Sequence, residues 1–136
     1  MRILAIDHGA ARAGTAVCDP SGTVVRPLGV ISPPSAADAA ALARDEAAEL
    51  IVVGLPVSLD GTEREQAAAA RAFAAALAEL TAADAIDVET YDERLTTRMA
   101  GESARSGARA PADALAAAHL LESYLQARSA GEAAER

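Results

Sequence analysis

The 136-residue chain has no tryptophan, one phenylalanine (Phe73) and two tyrosines, Tyr91 and Tyr124. It therefore cannot build the broad aromatic platform on which single-strand binders stack successive bases, and recognition of a polynucleotide would have to rest on backbone and shape. One cysteine, Cys18, excludes an internal disulfide and a multi-thiolate metal site. Beside Thr15-Ala16-Val17 it reads as a small buried strand residue. No run of about 18 apolar residues is present to span a bilayer, and the opening Met1-Arg2-Ile3-Leu4-Ala5-Ile6-Asp7 turns acidic too soon for a signal peptide. A cytoplasmic protein with no membrane partner is expected. Lysine is also absent: the 12 basic residues are all arginine and face 20 acids, a formal net charge of -8. That balance argues against indiscriminate adhesion to nucleic acid.

What remains is an alanine-rich chain, 51% hydrophobic, long enough for one core and one domain. The domain is expected over residues 1–128, with 129–136 a frayed tail. Ile3 to Ile6 is a continuous apolar run, read as a strand buried on both faces, and Thr15 to Cys18 is a second strand after a turn-rich segment. Ser21-Gly22 turns the chain into a third strand from Thr23 towards Val30, interrupted at Pro27. Ser35 caps a helix running to about Ala48, and Leu50 to Leu55 is the strongest buried-strand signal. Thr62-Glu63-Arg64-Glu65 is a capping box that opens a helix to about Leu80, with Phe73, Leu77 and Leu80 marking its core face. Ile86 to Tyr91 alternates as a half-exposed strand. Pro111 to about Ala127 closes the chain as a helix with Ala114, Ala117, Ala118, Leu121 and Leu125 on one side. A short helical or irregular segment falls near Leu95 to Gly101.

The order βββαβαβα gives an α/β fold: a five-stranded mixed sheet, a three-strand antiparallel meander followed by parallel strands joined by right-handed helical crossovers, with helices flanking it. Ligands collect outside the carboxyl ends of the parallel strands. Those ends are Asp7, the loop from Pro56 to Gly61, and Asp92-Glu93, while Asp113 opens the last helix. Carboxylates sharing an edge repel one another unless cations lie between them, and hard oxygen donors favour Mg2+ or Mn2+. Each acid also has an ordinary reading. Asp7 can begin a turn by bonding its own backbone, and Asp113 can complement the positive end of a helix dipole. Glu93 shares the side of Glu89 and Tyr91 only if the strand continues past Tyr91. Beside these acids lies a positive island, Arg94, Arg98, Arg105 and Arg109, interspersed with Gly101 and Gly107. It reads either as a solvated loop or as a phosphate clamp built on the guanidinium fork.

Asp7-His8-Gly9-Ala10-Ala11-Arg12-Ala13-Gly14-Thr15-Ala16-Val17 resembles the opening motif of the YqgF (RuvX) family. Val53-Gly54-Leu55-Pro56 with Asp60-Gly61-Thr62 is similar to its second motif. Asp92-Glu93-Arg94-Leu95-Thr96-Thr97 and Asp113-Ala114-Leu115-Ala116-Ala117 resemble two further blocks, in the right order and spanning nearly the whole chain. The resemblance implies an RNase H-like fold and a Mg2+-dependent nuclease related to RuvC-type resolvases. It implies catalytic and metal-binding roles for Asp7, Glu93 and Asp113. It also implies a substrate among precursor 16S ribosomal RNA, cleaved at its 5′ end, and branched DNA, with ribosomal precursor particles as a further partner. His8 stands where the family more usually has tyrosine, and the stretch between Arg98 and Asp113 is short and lacks lysine; both departures bear on substrate grip.

On this reading two Mg2+ (or Mn2+) ions serve the phosphodiester, with Asp7 bridging them and Glu93 and Asp113 completing their shells. Arg12, Arg94 and Arg98 are candidates to hold flanking phosphates, against an ordinary role in surface ion pairs. Asp60 is a candidate loop-capping residue, His8 a candidate for proton transfer or a hydrogen-bonded turn residue, and His119 a structural one. Two other classes stay open. The Asp-x-Gly turn also resembles the phosphate-binding turn of actin-like ATPases, although those enzymes close two such domains over the nucleotide. A non-catalytic nucleic-acid-binding or ribosome-assembly factor would use the arginine island alone.

Overall fold

The computed structural model describes residues 1–56, 64–92 and 111–134. β1 (Ile3–His8), β2 (Ala13–Cys18) and β3 (Val25–Ile31) form the antiparallel meander, and α1 (Ala36–Asp45) leads into β4 (Leu50–Leu55). α2 (Arg64–Thr81) and one 3-10 turn (Ala82–Asp84) lead into β5 (Asp87–Asp92), and α3 (Ala112–Ala134) follows. The sheet order is β3-β2-β1-β4-β5, with β1 parallel to β4 and β4 parallel to β5, as helical crossovers demand. The expected mixed five-stranded sheet is the one observed.

Residues two apart on a strand share a face, and this sorts the core. Leu4 and Ile6 of β1, with Ile51 and Val53 of β4, pack against Ala39, Ala40 and Ala43 of α1 and Phe73, Ala74 and Leu77 of α2. Ile3 and Ala5, with Leu50 and Val52, pack on the other face against Leu120 and Leu121 of α3. Ala16 of β2 meets Ala117 and Ala118 there. Burial on both faces is why β1 and β4 read as unbroken apolar runs. Each fully buried Leu or Ile contributes about 1.5–3 kcal/mol, and the small alanines let the helices sit close to the sheet.

Boundaries differ from expectation where local chemistry intervenes. Ser35 caps α1 as expected, its hydroxyl accepting from the Asp38 amide at 3.2 Å, but the helix ends at Asp45. Ala47 is left-handed, and the Ala47 and Ala48 amides donate to the Arg44 and Ala43 carbonyls. This is a Schellman closure without its usual glycine. Pro27 does not break β3, because β3 is an edge strand and its register shifts beside Thr15 and Ala16 of β2. In the β2–β3 turn the Asp19 carboxylate accepts from Ser21 Oγ and from the Thr23 and Val24 amides. These bonds hold its pKa down at about 2. α3 runs on through Ser129 to Ala134. The capping box at Thr62 and the segment near Leu95 to Gly101 fall outside the described residues.

Leu80 is a correction. It is 45% exposed, whereas Phe73 and Leu77 are buried as expected. At the last turn the inward position passes to Thr81, which is fully buried and whose hydroxyl donates to the Leu77 carbonyl at 2.9 Å. A threonine can stand inside there because its polar atom is bonded within its own helix. Urea unfolding should therefore separate two leucines: Leu121→Ala costs about 2–5 kcal/mol by opening a cavity under α3. Leu80→Ala stays within about 0.5 kcal/mol of the parent.

Candidate active site

Strand alternation and register together place one row of residues at the carboxyl end of β1. Asp7 pairs with Gly14 on β2 and with Gly54 on β4, and Gly54 pairs with Tyr91 on β5. Asp7 is two residues beyond Ala5, Gly14 two before Ala16 and Gly54 two beyond Val52, and all three of those neighbours face α3. Tyr91 packs in the same α3-side cluster. The row Gly14, Asp7, Gly54, Tyr91 therefore looks towards α3, and Asp7 has a glycine on either side. Asp7 is half-buried, yet its carboxylate makes no hydrogen bond or ion pair among the described residues.

Gly14 brings the second acid in. A Cβ at this position would lie 1.8 Å from the Asp113 carbonyl oxygen and 2.3 Å from its carbonyl carbon, far inside any permitted contact. The first turn of α3 can rest on β2 only because residue 14 has no side chain. Asp113, the second residue of α3, is thereby held beside the strand position that pairs with Asp7. Its carboxylate gains from the unbonded amides and the dipole of the helix start, and Arg12 Nε meets Asp113 Oδ2 at 2.6 Å. Arg12 is placed by a tight turn in which the Gly9 amide donates to the Arg12 carbonyl at 2.9 Å. A Cβ on Gly9 would stand 2.7 Å from that same oxygen.

The structure thus joins Asp7, Asp113 and Arg12 at one end of the sheet. Glu93, Arg94, Arg98, Asp60 and the rest of the arginine island lie outside the described residues. Among the described residues no three metal-binding side chains gather. His8 takes the opposite face from Asp7, and its ring packs against Phe73 of α2 with centroids 4.8 Å apart. Burial lowers its pKa, opposed by the nearby charge of Asp7, and the ring is directed away from the acid row. His119 is buried in α3, with Nδ1 3.5 Å from Glu122 Oε2.

Gly14, Gly54 and Tyr91 went unnoticed in the sequence as parts of a site. Only register reveals that they flank Asp7; the one clue was that both glycines sit inside the family-like motifs. Tyr91 closes the row, its hydroxyl 2.9 Å from Ser123 Oγ of α3 and its ring edge-on to Tyr124 at 5.5 Å. Tyr124 donates to Glu89 of β5, and burial ahead of this bond raises its pKa. These contacts tie β5 to α3 on the same side as the acids.

A half-buried carboxylate with no hydrogen bond or ion pair among the described residues, and a second carboxylate whose helix start rests on the neighbouring strand, make a donor set of hard oxygen atoms. Such a set fits a divalent cation of the Mg2+ or Mn2+ kind.

The sheet order, the helix on one face with two on the other, and an acid at the end of the central strand define an RNase H-like fold. The chain belongs to the RuvX family, whose model, described as Holliday junction resolvase, matches residues 1–127. A Rhodopirellula baltica protein named "Putative pre-16S rRNA nuclease" is 38% identical over 145 residues, covering 98% of this chain and 82% of that protein. A protein of the same name from Anaeromyxobacter sp. is 40% identical over 141 residues, covering 96% and 100%. Among solved structures, Thermus thermophilus RuvC superposes with a TM-score of 0.62 at 19% identity, over 96% of this chain and 97% of that one. The same protein in complex with a Holliday junction substrate gives 0.60 at 20% identity, over 95% and 96%. Both share the fold. The family resemblance noted in the motifs and the expected fold class hold.

The contact at residue 14 gives a direct test. Gly14→Ala should lower stability by about 1–3 kcal/mol in urea unfolding, as overpacking does. It should also lower divalent-ion affinity, because α3 must lift to admit the methyl group. Unchanged affinity would show that the helix start does not set the position of Asp113.

Proposed function

We propose that the chain is a divalent-metal-dependent endonuclease that hydrolyses phosphodiester bonds of structured nucleic acid, and that its substrate is precursor 16S ribosomal RNA, processed at the 5′ end. The observation that carries this reading is the Gly14–Asp7–Gly54 row, in which Asp7 has no hydrogen bond or ion pair among the described residues while the α3 start rests on Gly14 with Asp113. Asp7 and Asp113 would hold the metal together with Glu93, which follows the last residue of β5. Two Mg2+ or Mn2+ ions would be the complement of three such carboxylates. When bound, they supply Lewis-acid activation of water and of the scissile phosphate.

The chain's own residues do the positioning. Gly54 puts no side chain on the β4 side of Asp7, while on the β2 side the place of a Gly14 side chain is taken by the start of α3. The free amides of the α3 start add positive potential where an anion would lie. Tyr91, held by Ser123 and Tyr124, walls the β5 side of the row. Arg12, Arg94 and Arg98 are assigned to phosphates flanking the cut, since a guanidinium pairs with phosphate in a forked geometry. With the acids neutralised by cations, an acidic protein can accept a polyanion at this edge. The scarcity of aromatic residues points to recognition of backbone and shape. RNA is preferred because relatives about 40% identical over nearly the full chain carry a ribosomal-RNA nuclease name. Cleavage of branched DNA is the second reading, favoured by the description of the family model.

Incubation of the full chain with precursor 16S RNA and with a four-way DNA junction, with Mg2+, with Mn2+ and with chelator, tests both. Metal-dependent cleavage is expected, with RNA cut in preference. Asp7→Asn should lose more than about a hundred-fold in rate, in line with the several kcal/mol that a metal supplies to a phosphoryl transition state. Asp7→Asn that cuts like the parent would overturn the role assigned to Asp7, and nucleic-acid binding with no cleavage under any metal would instead support a non-catalytic binding factor.

A further inference from the structure

Asp7 and Asp113 are unequally served. Asp113 is paired with Arg12 at 2.6 Å, whereas Asp7 has no ion pair among the described residues. One guanidinium can neutralise one carboxylate; a divalent cation can neutralise both. The Arg12 side chain is also loosely held, 63% exposed against 38% for Asp113. Its backbone, by contrast, is fixed by the Gly9 to Arg12 turn. Screening makes such an exposed pair worth no more than about five-fold in an equilibrium, which a divalent ion held by two carboxylates exceeds easily.

Resting on the metal reading above, we propose that Arg12 is a counter-cation that holds Asp113 until a divalent ion takes that carboxylate, after which the released guanidinium is handed to a phosphate of the nucleic acid. The same fork that meets a carboxylate meets a phosphate, and the anchored turn keeps Arg12 within reach of either. Metal and nucleic acid then bind with positive coupling, since each removes a competitor of the other, and that coupling is reciprocal. Arg12 is thus a positioning residue with two partners in succession. The turn that needs Gly9 and the helix start that needs Gly14 are the devices that bring those partners to one place.

The test is calorimetric titration of Mn2+ into the full wild-type chain, Arg12→Ala and Arg12→Gln without nucleic acid. Alongside it, fluorescence anisotropy measures binding of labelled precursor 16S RNA and a four-way DNA junction, in Ca2+ and in chelator. Both variants should bind Mn2+ about two- to five-fold tighter than the wild type, the range expected when an exposed ion-pair competitor is removed. The gain in nucleic-acid affinity on adding Ca2+ should be smaller in the variants than in the wild type. Mn2+ binding that is unchanged or weaker in both variants overturns the displacement and leaves Arg12 as a prop for Asp113. An equal Ca2+ gain in wild type and variants overturns the hand-over to phosphate. Absence of Mn2+ binding by the wild type removes the underlying metal reading itself, a distinct failure that neither variant can mimic.

Discussion

The approach of the α3 start to β2 governs the working end of this molecule. The Asp113 carbonyl occupies the place where a side chain at residue 14 would stand. Two features of the sequence, a glycine in a hairpin strand and an aspartate at a helix start, are therefore parts of one contact. Packing density in protein interiors leaves no slack for a missing or added methyl group. The position of the helix start is consequently limited by the backbone of β2. Along α3 the same principle continues, with Ala117 and Ala118 against Ala16 and then Leu120 and Leu121 against the bottom of the sheet.

The electrostatics follow from that packing. Folding brings negative charge to the end of a central strand, where Asp7 receives no hydrogen bond and no counter-ion from the described residues, and it provides Arg12 for Asp113 alone. A half-buried carboxylate without a partner is costly in a structural role. In a metal site it is the expected resting state. The dipole of α3 and the arginine lessen the repulsion without abolishing it.

Much of this was legible in the sequence. Apolar runs at Ile3–Ile6 and Leu50–Leu55 announced strands buried on both faces, and the helical stretches between the later strands dictated parallel pairing. Asp7 stood out because an acid directly after a buried strand lies at its carboxyl end. What was not legible depends on register and rotation. That Gly14 and Gly54 flank Asp7 requires knowing which residues sit opposite one another. That His8 turns to Phe73 follows from its odd-even position relative to Asp7, but the presence of α2 on that side does not. α1 stops at a left-handed Ala47, for which alanine carries no signal, and Leu80 ceded the interior to Thr81 because a hydroxyl bonded within its own helix can be buried. The Arg12–Asp113 pair joins residues about a hundred positions apart, beyond the reach of any local pattern.

The central claim is that folding makes Asp7 and Asp113 ligands of a shared divalent ion. Crystals of the full chain grown with Mn2+, measured at a wavelength where manganese scatters anomalously, address it without recourse to activity. The account predicts an anomalous peak between the Asp7 and Asp113 carboxylates, with oxygen atoms of both in its coordination shell. A fully bound manganese elsewhere on the chain, with these two carboxylates making no contact to any ion, would contradict it.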